Sequence, residues 1–285
     1  LKHKKLLTFA GKLHINNFSC IMANVIKIKK GLDINLKGKA SDVLLNGGKS
    51  DSYAIVPDYY NGIVPKVVAK VGEKVKAGSV LMIDKNRPEI KFVSPVSGEV
   101  TAENRGEKRK VLSVVVKPEA QIEYEDFGKK NVASLKREEV KEAILHAGMW
   151  PFIKQRPYDI VASPADEPRD IFVSAFYSAP LAPNFDFVVK GQEVDFQTGL
   201  DALAKLTDGK VYVGIRKGSS VSVKGVETVE VEGPHPAANV GVQINHIKPI
   251  NKGEVVWTVN PADVIVIGRL FNKGIADFSR LVVIT

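Results

Sequence analysis

The chain has 285 residues, 44% of them hydrophobic and 26% charged, a globular composition with length for about two domains. Its net charge of +9 is not gathered into an aromatic-interleaved basic stripe, and no nucleic-acid-binding motif occurs, so nucleic acid is excluded as the expected partner. The single cysteine, Cys20, excludes internal disulfides, a cysteine-ligated iron–sulfur cluster and a cysteine zinc site, and no apolar run reaches the ~18 residues that a membrane-spanning helix needs.

Residues 1–21 carry four lysines and no acid, and Lys12, His14, Asn16 and Asn17 interrupt their apolar content. A secretory signal needs about 7–15 continuous apolar residues, so this segment reads as an upstream leader or expression remnant, with Met22 as the start. From Met22 to about Pro118 short alternating runs and glycine turns predict an all-β domain: Val25–Lys30, Val64–Val71, Val80–Asp84, Ile90–Val93 and Val111–Val116. A linker follows. A helix is expected over 135–147, capped by Ser134, with Val140 and Ile144 on one face and Gly148 as its stop. After it, Trp150–Tyr158 forms an aromatic, proline-rich loop. Ile171–Phe176 is a buried strand, 196–206 a helix capped by Asp195 and packed through Leu200, Leu203 and Leu206, and Lys210–Ile215 and Val226–Val231 are further strands. Strand, helix, strand at this spacing implies a crossover and a parallel sheet. From Gly233 the chain reads as irregular, and 254–267 returns to strand-like runs.

Within the first domain, Val-Gly-Glu-Lys-Val-Lys-Ala-Gly (71–78) and Ser-Pro-Val-Ser-Gly-Glu-Val (94–100) resemble the two halves of a biotinyl/lipoyl-type barrel-sandwich hybrid. Arg87 lies eleven residues before Gly98, where the hairpin of such carriers presents its modifiable lysine. A guanidinium stays protonated and is no acyl acceptor, so the scaffold is expected without the carrier chemistry or any covalently bound cofactor.

Other chemistry is missing from the sequence. There is no Gly-x-Gly, and Gly48-Lys49-Ser50 is preceded by Val43 where a P-loop needs its first glycine. His3 and His14 lie in the leader, and His146 sits near a helix end, where a cation favours the dipole. His235 and His246 lack helical ligand spacing, so no metal site is expected. No nucleophile elbow or paired-carboxylate motif occurs. No self-sufficient catalytic site is expected, and so no catalytic residue is named.

Longer phrases carry a more specific resemblance. They are Ile26–Ile34, Lys91–Gly98, Asn104–Arg109, Ala133–Arg137, Gln155-Arg156-Pro157, Gly209–Val213 and Gly233–Ala237. In this order they are similar to the NqrA family, one of the six subunit families of the Na⁺-translocating NADH:quinone oxidoreductase (the Nqr complex). The resemblance implies a hybrid domain at 22–118, a Rossmann-like α/β domain at 119–253, and a β segment at 254–285 leading into a missing C-terminal β-grasp-type domain. It also implies a peripheral subunit on the cytoplasmic face of the bacterial inner membrane, without its own FMN or iron–sulfur cluster. Its partners are the other subunits of the complex, chiefly a membrane-embedded one. The implied substrate is a quinone, which needs aromatic walls, donors for two carbonyl oxygens and a nearby cation. Trp150, Phe152 and Tyr158 offer stacking, Arg156 offers a donor and cation, and Pro157 stiffens the loop. Tyr59, Tyr60 and Gly62 in Asp58–Gly62 are the second candidate segment. Pro234 and Pro236 hold His235 in a turn that either presents its imidazole to a ligand or partner or joins two domains rigidly. The competing reading is a purely structural docking subunit.

Overall fold

Residues 25–284, except 35, 39 and 40, are described by the structure, a computed structural model. The leader reading of 1–21 and Met22 as the start lie outside these residues. Strand β1 is Val25–Lys27; the hybrid domain follows with β2 (Tyr53–Ile55), β3 (Pro65–Val67), β4 (Lys74–Val75), β5 (Val80–Asp84), β6 (Lys91–Val93), β7 (Gly98–Arg105) and β8 (Val111–Pro118). They form two antiparallel sheets, β2-β8-β7-β4 and β3-β5-β6. The period-2 pattern decides which side faces in: Val114 and Val116 of β8 are buried, whereas Lys117 beside them is exposed. With Val75, Leu81, Val96 and Val100 they make the core between the sheets.

The second domain contains α1 (Arg137–His146), β9 (Lys154–Arg156), β10 (Ile160–Val161), β11 (Ile171–Ser174), α2 (Phe185–Val188), α3 (Glu193–Lys205), β12 (Val211–Arg216), β13 (Glu227–Glu232), α4 (Val240–Ile247), β14 (Val256–Val259) and α5 (Pro261–Lys273). Its seven-stranded sheet runs β1-β13-β12-β11-β14-β9-β10, parallel from β1 to β14 and antiparallel at β9 and β10. β11 is buried along its whole length, which is why it reads as a continuous apolar run. Helices α3 and α5 pack together on one face, while Ile244 of α4 meets Phe172 and Val256 on the other. Gly199 and Gly268 face the opposing helix so closely that a Cβ on either would overlap a backbone carbonyl, that of Val264 or of Asp195. Among the described residues no helix is long and apolar enough to cross a membrane.

Several elements differ from the sequence reading. β1 is expected to open the hybrid domain; it adds instead to the edge of the α/β sheet, with Ile26 opposite Val231, because Ile26 and Ile28 bury against Val229, Val231 and Ala237. The β segment expected from 254 is a strand only over Val256–Val259, and Val264–Ile267 lies in α5. An apolar run suits a buried helix as well as a buried strand; Asn260 caps this one by accepting from the Ala262 N–H at 3.0 Å, Pro261 opens it and Gly274 closes it in the left-handed region. β14 and α5 therefore complete the α/β domain. The stretch after Gly233 contains α4. At α1 the cap is Lys136, whose backbone N–H donates to Glu139 at 2.7 Å, while the Ser134 hydroxyl donates to the Asn131 carbonyl. α3 starts at Glu193, which places Asp195 in its first turn.

Candidate functional site

The Trp150–Phe152 turn drops into the boundary between the domains. Trp150 is fully buried, its indole N–H donates to the Ala162 carbonyl at 2.8 Å, and its ring meets Trp257 edge-on at 5.4 Å. This corrects the expectation that Trp150 stacks on a ligand: the indole is a core plug. Tyr59 and Tyr158 depart in the other direction, at 78% and 79% exposed, and Pro157 is exposed. Arg156 is half-buried and its Nε faces Asp159 at 3.4 Å.

The two segments singled out in the sequence nevertheless meet. The Val161 N–H donates to the Asn61 carbonyl at 2.9 Å. Gly62, at φ +82°, lies against Ile160, where a Cβ would come within 2.7 Å of the isoleucine Cβ. The Tyr60 ring packs edge-on against Phe92 at 4.8 Å, and the Lys154 ammonium sits 5.1 Å from its centroid. Strand β9 sets this placement, because Lys154 is in register with Thr258 at the carboxyl end of β14.

Beyond Thr258 are Asn260 and Asp263. Asp263, in the first turn of α5, accepts from Arg280 at 2.8 Å, and Tyr177, just past β11, donates to Asn260 at 3.4 Å. Carboxyl ends of β11 and β14 are where strand order reverses, the topological switch point at which open α/β sheets bind ligands. The front of this crevice is held by Phe278, edge-on to Phe152 at 5.9 Å, and by the Arg280 guanidinium, 5.8 Å from the Phe152 ring.

Burial pushes the Tyr60 and Tyr177 phenols up, assisted by the Asp263 charge and opposed by Arg280. Burial pushes the Lys154 ammonium down against the pull of Asp159 and Asp263, and among the described residues no carboxylate reaches it at ion-pair distance. Burial also raises the Asp263 carboxyl, with Arg280 opposing. A phenol and a desolvated ammonium between aromatic walls are donors suited to carbonyl oxygens on a flat ring. In the sequence Arg156 is the cation that stands out on this strand, and Lys154, Tyr177, Asp263 and Arg280 carry no local sign of coming together. A strand period through 154–156 is the signal that places Lys154 and Arg156 on one face.

His235 belongs to a separate cluster past β13. Its Nδ1 is 3.1 Å from the Ser178 hydroxyl, its N–H donates to Asp33 at 2.8 Å, and its carbonyl accepts from Leu32 at 2.9 Å. The turn thus anchors the chain that follows β1. Two clefts also lie away from the boundary. One of about 630 Å³, at the amino ends of the parallel strands, is lined by Arg169 and Glu254, which pair with each other, and by Glu167 and Asp208, which pair with Arg137. The other, of about 190 Å³, is lined by Phe127, Glu142, His146 and Phe271.

The architecture and the boundary correspond to two families of domain. Residues 26–119 match the NqrA N-terminal barrel-sandwich hybrid domain, and residues 135–276, through α5, match the NqrA second alpha/beta domain. The NqrA protein of the Na(+)-translocating NADH-quinone reductase of Neisseria meningitidis (strain Z2491) is 38% identical over 263 residues, 90% of this chain and 59% of the relative. Those of Hahella chejuensis and Vibrio atlanticus are 37% and 38% identical over the same shares. The chain belongs to the NqrA family and spans 59% of the length of the relatives it matches.

Proposed function

We infer that this chain acts within a Na⁺-translocating NADH-quinone reductase, where its two domains form a quinone-contacting surface without a flavin or iron–sulfur centre of their own. Its partners in this reading are the other subunits, chiefly a membrane-embedded one, with the chain peripheral on the cytoplasmic face. One observation carries the quinone contact: two aromatic segments that are far apart in sequence converge at the switch-point crevice around Lys154, a half-buried cation 5.1 Å from the Tyr60 ring. Lys154 and the Tyr60 hydroxyl would donate to the quinone carbonyls, and Tyr60 and Phe152 would flank its ring once Phe278 and Arg280 move aside. Loss of the ammonium removes a charge-assisted donor without emptying the core.

Titration with a short-tailed quinone, followed by tryptophan fluorescence, tests this. Saturable quenching is expected in the wild type, with affinity weakened about tenfold in Lys154→Met. The filling of the crevice by Phe278 and Arg280 favours the second reading, a docking scaffold whose quinone is held elsewhere in the complex. Absence of saturable quenching would select that reading.

A further inference from the structure

Arg87, at the tip of the β5–β6 hairpin, stands where a lipoyl-type carrier presents its lysine, and each of its three guanidinium nitrogens donates a hydrogen bond. Nε donates to Asp84 Oδ2 at 2.8 Å, Nη2 to the Gly62 carbonyl at 2.8 Å and Nη1 to the Val161 carbonyl at 3.2 Å. The Asp84 side chain is only 1% exposed, and its Oδ1 accepts from the backbone N–H groups of Val64 at 3.0 Å and Asn86 at 3.1 Å. The carboxylate is thus locked into the hybrid domain, and it aims the guanidinium at two carbonyls beyond the hairpin. Those carbonyls are not arbitrary. Gly62 ends the segment that carries Tyr60, and Val161 belongs to β10, which folds back on β9 with Val161 opposite Lys154.

We propose that Arg87 is the positioning residue of the boundary: it holds the Tyr60 segment against the Lys154 strand and makes the β5–β6 hairpin a fixed clamp. This role rests on reading the boundary as a quinone contact, while the clamp itself does not. The three acceptors are spread over three different nitrogens of the planar fork; the donors of a lysine ammonium all radiate from one atom and do not span them. Removing Arg87 alone also strands the buried Asp84 charge, so the cleaner variant is the double change Arg87→Ala with Asp84→Asn.

The experiment combines hydrogen exchange with quinone titration on the full chain, in wild type, Arg87→Lys and the double variant. In the double variant the Val161 amide, which donates to Asn61, is expected to exchange about tenfold faster while the amides of β11 stay unchanged. Quinone affinity is expected to fall about tenfold with Lys154 intact, and Arg87→Lys to lie between. Unchanged exchange at Val161 would overturn the clamp. Faster exchange with unchanged affinity would overturn the positioning role and leave a structural tie. If the wild type itself binds no quinone, the functional reading fails, and exchange at Val161 alone decides whether Arg87 clamps the boundary.

Discussion

At Trp150 residue type and environment point in opposite directions. An indole beside two prolines in a loop is a natural stacking platform, yet burying this one satisfies its N–H on the Ala162 carbonyl and seats its ring against Trp257. Trp150→Phe should therefore destabilise the fold by about 2 kcal/mol in chemical denaturation, through lost volume and an orphaned carbonyl. Quinone affinity should be unaffected. Weakened binding at unchanged stability would instead place the indole in the site. Lys154 is the reverse case: an ordinary surface residue type, it matters because Tyr60 and neighbouring backbone take water from its ammonium. Which lysine loses its water is a property of contacts, not of residue type.

At the scale of elements, Asp170 shows how the amino ends of the sheet are tied. Its side chain, 1% exposed, accepts from Arg169 and Lys248 at 2.7 Å and from the Lys210 N–H at 3.1 Å, while its carbonyl accepts from the Trp257 N–H. One residue thus joins the starts of β11, β12 and β14 to the end of α4. Burial alone would raise its carboxyl, but the hydrogen bonds from Lys248, Arg169 and Lys210 outweigh it and hold the group below the usual range. A depressed folded-state value contributes stability that is present above the unfolded value, about pH 4, and lost as pH falls through the folded one. Asp170→Asn should cost about 2–3 kcal/mol at neutral pH and flatten the acid limb of the stability profile below about pH 4, measured by urea unfolding across pH. An unaltered acid limb would assign that limb to other carboxylates. Elements with a clear period were readable in the sequence: α1, α3 and the strands β5, β11, β12 and β13. The apolar run in α5 was not, because a helix packed on several sides has no polar face to show its period. Its caps, Asn260-Pro261 and Gly274, were the legible signal.

Across the whole molecule, the hybrid and α/β domains share a core. Met82, Ile90 and Phe92 from the first cluster with Trp150, Ile153 and Val161 from the second, and Arg87 closes the same boundary with three hydrogen bonds. Continuous packing of this kind couples unfolding, so urea is expected to give one transition that coincides by tryptophan fluorescence and by far-ultraviolet circular dichroism. Two separated transitions would show that the boundary is not a shared core. The sequence alone established the hybrid module, the strand–helix alternation and the resemblance to NqrA, because glycine turns, side-chain periods and ordered phrases are local properties of the chain. Only the tertiary structure decided that Trp150 lies inside and Tyr158 outside, and that β1 joins the second sheet. It alone brought Tyr60, Lys154, Asp263 and Arg280 to one crevice. Those outcomes depend on burial and on which strand ends lie side by side, and neither is carried by any window of neighbouring residues.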